Sequence, residues 1–265
     1  MPLRPLGVGE ILDGALTAVR RAPDLFAPSA LLAVATTLLV YVIQVSVLNV
    51  GSDPTGSSFV EVVFADVLET GITGFATVLL SALAAVIVRE GILGRRVSVS
   101  TAWAEVRGRI GRLMVIGLVI TVAWMVTFST TIVLGIYLFV AWHFAVVAAT
   151  VEGGSVRTAI TRSRRITSTL WWRTFGVLLL VTLVAGVVNL IIGLPFTLLA
   201  GGTGLFTGSS KLSSGELAIS DIGTIISATL IRPFEACAVA LIYVDLRMRT
   251  EGLDVALRQA AAHST

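Results

Sequence analysis

Charge is scarce in this 265-residue chain: Asp, Glu, Lys and Arg together make up 13% of it, against about 25% in a typical soluble domain. Lysine occurs once (Lys211), cysteine once (Cys237) and histidine twice, at His143 and His263. A single cysteine excludes an intrachain disulfide. Two histidines with no Cys pair and no H-E-x-x-H exclude the usual zinc ligand sets. There is no G-x-x-x-x-G-K-[ST] loop to cradle nucleotide phosphates and no G-x-S-x-G elbow to present a serine nucleophile. Nothing marks an enzyme, and neither a cofactor nor a nucleic-acid partner is expected. No cleavable leader is visible either, because the first long apolar run starts at Leu25, after Arg4, Arg20 and Arg21.

Hydrophobic residues, by contrast, make up 55% of the chain, and its mean hydropathy is +0.94. They come in runs near the ~20 residues that cross a bilayer core of about 30 Å. Spans are expected at about 25–49, 70–88, 113–128, 131–151, 174–199 and 222–244, in one membrane domain covering 1–265. Leu113 to Val151 contains no Asp, Glu, Lys or Arg. As one helix it would be about 58 Å long, so it must fold back, with Ser129, Thr130 and Thr131 as the turn. The fold class is therefore an all-α integral membrane protein of about six transmembrane helices.

Alternating the loops between two sides puts 17 of the 19 basic residues on one face. The other face has Lys211 and the acids Asp53, Glu61, Asp66, Glu69, Glu216 and Asp221. Short Lys/Arg-rich loops stay cytoplasmic, so both termini are expected inside. Eighteen arginines to one lysine, with abundant Ala, Val and Gly, suit a GC-rich bacterial genome. The expected location is the bacterial cytoplasmic (inner) membrane.

A short amphipathic segment precedes spans one, three and five. Ile11, Ala15 and Val19 share one helical face. So do Trp103, Val106, Ile110 and Leu113. A third face holds Val156, Ala159, Ile160, Ser163, Ile166 and Leu170, with Arg157, Arg162, Arg164 and Arg165 opposite. Apolar against basic suits a helix in the membrane interface. The unit of interfacial helix, span, span thus begins near residues 8, 98 and 155, which predicts a threefold internal repeat.

Three stretches carry a resemblance: RPLGVGEILDGALTAVRR (Arg4–Arg21), IVLGIYLFVAWHFAVVAATVEGGSVRTAITRSRRITSTLWWRTFG (Ile132–Gly176) and YVDLRMRTEGLD (Tyr243–Asp254). Together they resemble a bacterial family of polytopic membrane proteins. That family is related to the membrane domain attached to some glycerophosphodiester phosphodiesterases. The resemblance implies a shared fold over the whole chain, but no activity, since the phosphodiesterase chemistry belongs to a separate catalytic domain. Where the family commonly has Pro, Arg and Pro, this chain has Leu134, Ala141 and Val147, so span four is expected to be straighter.

The sharpest polar signal is Arg232-Pro-Phe-Glu235, near the middle of span six. Intramembrane charges are costly and normally face the bundle interior in pairs. Spacing of i,i+3 allows Arg232 and Glu235 to pair, and Pro233 frees a carbonyl one turn earlier. The residues read either as a mid-membrane site for an anionic headgroup or a coupling proton, or as a self-satisfied pair locking the bundle. Arg162, Arg164 and Arg165 are candidates for contact with anionic lipid or an acidic partner. His143 is either a ligand or proton carrier, or a neutral imidazole bonded to a neighbouring helix. Asn189 is expected to bond across helices, and Trp171, Trp172 and Arg173 to anchor at the interface.

The leading expectation is a non-enzymatic membrane protein that assembles with envelope partners or lipids. The rival is a small transporter or lipid-handling protein using Arg232 and Glu235. Topology is directly testable with single cysteines in a Cys237→Ala background. Those at Ser57 and Ser209 should react with a membrane-impermeant thiol reagent in intact cells, and those at Ser163 and Ser264 should not. Labelling of an inner site without membrane disruption would overturn the orientation.

Overall fold

The computed structural model describes residues 6–46, 59–200 and 214–252, and these contain no strand. The helices are α1 (Val8–Arg21), α2 (Phe26–Ser46), α3 (Phe59–Ile92), α4 (Val99–Arg107), α5 (Ile110–Thr130), α6 (Ile132–Trp142), α7 (Ala145–Val151), α8 (Val156–Ser168), α9 (Trp171–Leu199) and α10 (Ser214–Glu251). Six segments are long and apolar enough to cross a membrane: Pro23–Val45, Val67–Ile92, Ile110–Thr127, Ile132–Val151, Trp171–Leu199 and Gly215–Glu251. The expected hairpin turns at Thr131, an extended residue between α5 and α6. At 38 residues, α10 rises about 57 Å, so it outruns the hydrocarbon core. Lys211, Asp53, residues 201–213 and residues 253–265 lie outside the described residues, as do the side chains of Glu61 and Asp66.

The order of short helix, span, span occurs three times: α1–α2–α3, α4–α5–α6/α7 and α8–α9–α10. Ser98 and Ser155 cap α4 and α8, each hydroxyl accepting the N–H of the residue three further on. In α1 the Glu10 carboxylate instead accepts the Gly7 N–H at 2.6 Å. Counting from these caps, the fourth and eighth residues are buried in all three copies: Ile11 and Ala15, Ala102 and Val106, Ala159 and Ser163. The short helices therefore bury their small and apolar faces against the protein's own helices rather than against lipid. Trp103, assigned to such a face, is 43% exposed, and Ala102 takes the inner position.

Each short helix packs on the second span of the preceding copy: α4 on α3, α8 on α7, and α1 on α10. The last contact joins the third copy back to the first, so the copies close a ring. The second spans form its centre, with 67, 50 and 56% of their apolar windows buried, against 22, 17 and 22% for the first spans α2, α5 and α9. The outer helices present Leu31, Leu118 and Ile191 outward, the surface a bilayer accepts.

Two central helices depart from regularity, and at each a buried serine bonds the backbone. Span four is broken at His143 and Phe144, between α6 and α7, where the absence of proline raises the expectation of a straighter helix. The cause is Ser163 of α8. Its hydroxyl donates to the Ala141 carbonyl at 2.8 Å and accepts the Phe144 N–H at 3.2 Å, wedging into the helical ladder. In α10 the helix continues through Pro233, whose missing N–H would have bonded Thr229. The Ser29 hydroxyl of α2 lies 3.1 Å from that carbonyl and donates to it. Both serines are fully buried.

Removing the wedge should therefore be costly. Ser163→Ala leaves two buried backbone groups without their partner and should destabilise the protein by about 1–3 kcal/mol, read as a lower Tm in detergent. Ser168→Ala, on the exposed side of α8, should leave Tm unchanged, and equal Tm values for both variants would refute the wedge. Because Ser163 is buried, the exposed Ser100 is the better inner position for cysteine labelling.

Candidate functional site

The central helices do not fill the middle of the ring. A cavity of about 390 Å³ lies between α3, α5, the α6–α7 break, α9 and α10, and Arg232, Glu235 and His143 all line it. The break delivers His143 to this wall, where its ring packs against Phe139 with centroids 4.7 Å apart. Much of the remaining wall is apolar, including Trp124, Leu178 and Val181. Small residues set the close approach of α3 and α5. A Cβ on Gly117 would come within 2.4 Å of Val78 Cγ2, so no larger residue fits without displacing Val78.

Arg232 and Glu235 share the cavity but do not form the self-satisfied pair that their spacing allows. Among the described residues, neither side chain makes a hydrogen bond or ion-pair contact with protein, and Arg232 Nη1 is buried with no partner. Opposite them, α3 contributes Thr70, Thr73, Thr77 and Ser81. Thr73 and Thr77 donate to carbonyls one turn back, at 2.7 and 2.9 Å, which leaves hydroxyl lone pairs able to accept. This stripe at steps of three and four residues was visible in the sequence, yet only the charged pair stood out there. The site thus offers one cation, one carboxylate, an imidazole and acceptor hydroxyls in a mostly apolar chamber, a set suited to binding an amphipathic molecule.

The arginine-rich end of the bundle is built differently, because there several of the charges are paired. Asp245 is fully buried and accepts from Arg173 at 2.5 Å, from Arg249 at 3.0 Å and from the Leu6 N–H at 2.7 Å. Arg173 and Arg249 also donate to the Leu6 carbonyl, at 3.0 and 2.8 Å. Arg162 binds Glu152 through two nitrogens, at 2.7 and 2.9 Å, and also pairs with Glu251. Tyr243 donates its O–H to Glu152. Arg89 forms a two-pronged contact with Glu105, at 3.0 and 2.9 Å. Arg109 and Arg112 donate to the last carbonyls of α7, Thr150 and Ala149, where a helix end favours cations.

This changes the standing of several residues picked out in the sequence. Arg162 is apart from the cavity and engaged by two carboxylates, whereas Arg164 and Arg165 are exposed. Arg173 serves Asp245 rather than a headgroup layer. Trp171 stacks on Phe175 and Tyr137, with centroids 5.4 and 6.0 Å away, so only Trp172, 78% exposed, faces outward as an anchor would. Asn189 is exposed on α9 and makes no bond across helices among the described residues.

The pairing sets an acid limit. The hydrogen bond from Arg89 holds the Glu105 carboxyl below the ordinary value of 4.5. At Glu152 burial pushes upward, but the hydrogen bonds from Arg162 and Tyr243 and the nearby Arg247 charge outweigh it, and the net direction is down. Carboxyls depressed in the folded state stabilise it above their unfolded pKa and lose that contribution as pH falls through the folded value. Tm in detergent should hold to about pH 5 and fall below about pH 4.5. Glu152→Gln should lower Tm at neutral pH and flatten that fall; an unchanged acid limb would show that Glu152 does not carry it.

Comparison with known proteins gives a family but no function. No curated protein and no solved structure matches this chain. The model of a family described as a domain of unknown function (DUF7847) matches residues 6–246, from the Leu6 latch through the Asp245 that holds it, and the chain belongs to that family.

Proposed function

We propose that this chain is a non-enzymatic membrane protein that binds, and carries or presents, a small amphipathic ligand in the cavity around Arg232 and Glu235. In this reading it sits in a bacterial cytoplasmic membrane with both termini inside. The observation that carries it is the buried, unpartnered Nη1 of Arg232. A charge inside a membrane costs at least ~2.5 kcal/mol on insertion scales, and an unsatisfied buried donor costs about 1–3 kcal/mol. A structural pair would relieve both costs by direct contact. An open cation beside an open carboxylate is instead what a ligand-binding site keeps available. The chamber also falls within the ~300–1,000 Å³ common for small-molecule pockets. The ligand's anionic group belongs at Arg232 and its hydrocarbon against Trp124 and Val181.

The assembly reading keeps a narrower basis. Arg164 and Arg165 remain as an exposed basic contact for anionic lipid or an envelope partner, while Arg162 is engaged within the protein. The kinship with the membrane domain of glycerophosphodiester phosphodiesterases rests on the three stretches quoted above and stays part of this proposal.

Trp124 provides a reporter in the cavity wall. A bromine-labelled fatty acid should quench tryptophan fluorescence saturably in detergent-purified protein, and Trp124→Phe should remove that component. Arg232→Gln should weaken the apparent affinity about tenfold or more, the scale of a hydrogen bond to a charged group. Arg164→Gln should leave it unchanged. Saturable quenching that survives Arg232→Gln at the parental affinity would eliminate the cavity as the binding site.

A further inference from the structure

A second, smaller cleft lies at the arginine-rich end and is independent of the mid-membrane cavity. It has a volume of about 110 Å³ between the end of α1 and the α3–α4 loop. Arg21, Arg95 and Arg96 surround it, and Ala22 and Val88 form an apolar floor. Gly94 makes the turn that brings Arg95 and Arg96 over α1, with φ +78°, a conformation that side chains resist.

These arginines differ from those that fasten this end in lacking a short ion pair, and from the exposed Arg20, Arg107, Arg157 and Arg164 in surrounding one cleft. Arg89, Arg162, Arg173 and Arg249 are each bound to a carboxylate at 3.0 Å or less. Arg21 and Arg96 are exposed and make no ion pair among the described residues. Arg95 makes one long contact, 3.5 Å to Glu90, with its side chain 74% exposed. The nearby Asp24 is already engaged, accepting the Val99 N–H at 2.7 Å.

The bland account of Arg21 is that it offsets the negative end of α1. That explains neither Arg95 nor Arg96, which belong to another element. It also leaves the α1 end already closed, since the Ala22 N–H bonds Ala18 and Val19. Three guanidinium groups around a cleft whose floor is apolar form a surplus of positive charge, met within the protein only by the long contact of Arg95 with Glu90 among the described residues. Exposed Leu16 and Leu93 are the chain neighbours of Thr17 and Gly94 in its wall, so apolar and cationic surface meet there as they do at a membrane interface.

We propose that this cleft binds a phosphate-bearing anion, supplied as the headgroup of an anionic phospholipid, with Arg21 and Arg96 as its principal contacts. Guanidinium forks match phosphate oxygens in pairs, and basic pockets between membrane helices are a recurrent mode of headgroup recognition. The cleft has room for the phosphate and not for the acyl chains, which would lie outside over Leu16 and Leu93.

The test uses the full chain, delipidated in neutral detergent, and native mass spectrometry of bound lipid. Phosphatidylglycerol should be retained in preference to phosphatidylcholine. Arg21→Gln with Arg96→Gln should reduce that preference about tenfold or more. Arg107→Gln with Arg157→Gln removes the same charge from two exposed arginines outside the cleft and should leave the preference intact. Thr17→Glu, which puts a carboxylate on the cleft wall and leaves every arginine in place, should also abolish it. A thermal melt of each variant without lipid checks folding. Soluble glycerol 3-phosphate distinguishes the sources: failure to compete supports a lipid headgroup, and full competition at equal concentration overturns the lipid assignment in favour of a soluble phosphate. Equal retention of both lipids, or equal losses in the two double variants, would overturn the site.

Discussion

In a hydrocarbon solvent no water relieves a peptide group that has lost its helical partner, so each must find one inside the protein. That constraint governs the centre of this molecule. Both irregular helices are central, and each irregularity is met by a serine from another copy of the repeat. Ser163 holds open the break before α7, and Ser29 takes the carbonyl that Pro233 leaves without a donor. Interrupted helices at membrane depth are tolerated where protein surrounds them, and here the surrounding helix supplies the bond. The break in turn places His143 at the cavity wall. The site therefore depends on a hydroxyl in α8 that does not touch it.

Charge does a different job at the arginine-rich end. Counting basic residues predicts a positive surface, but the structure pairs much of it inward. Asp245 gathers two arginines and the Leu6 backbone, joining α1 to α9 and α10 where the ring of three copies closes. Buried ion pairs stabilise little when weighed against apolar replacements, yet leaving one partner alone is costly. The cluster therefore acts chiefly as a fastener that tolerates no single loss. Arginines at this end are in this way used for closure. The exposed cations without an ion pair among the described residues, Arg21, Arg96 and Arg164 among them, are the ones available for contact outside the protein.

Much of this fold was legible in the sequence for a simple reason. A bilayer imposes a length and a composition on each span, so the runs around Phe26–Ser46 and Trp171–Leu199 announce themselves. The starts of α1, α4 and α8 were legible too, from spacing alone. A short identity, Ser-Val-x-Thr-Ala at Ser98 and again at Ser155, could have strengthened the repeat. What could not be read was direction. Periodicity shows that Ile11 and Ala15 share a face, but not whether lipid or protein covers it. The break at His143 was invisible for a related reason: its cause lies twenty residues away in Ser163, a residue that reads as an ordinary member of an amphipathic helix. At the site, Arg232 and Glu235 were conspicuous because they are costly. Their failure to pair was not, since i,i+3 spacing permits contact without enforcing it.

The cavity can then be understood as the place where three similar copies stop being similar. Each contributes one central helix, and a faithful repeat would give those helices equivalent walls. They differ instead. The first contributes the hydroxyl stripe from Thr70 to Ser81, the second a broken helix carrying His143, and the third the charges Arg232 and Glu235. The short helices keep a common register, with buried residues at matching positions in α1, α4 and α8. A ring built for stability alone would gain nothing from that divergence, because a buried Nη1 without a partner lowers stability. Divergence on the faces that line one chamber, beside short helices held in register, is the pattern expected when a repeat supplies the scaffold and a ligand selects its interior.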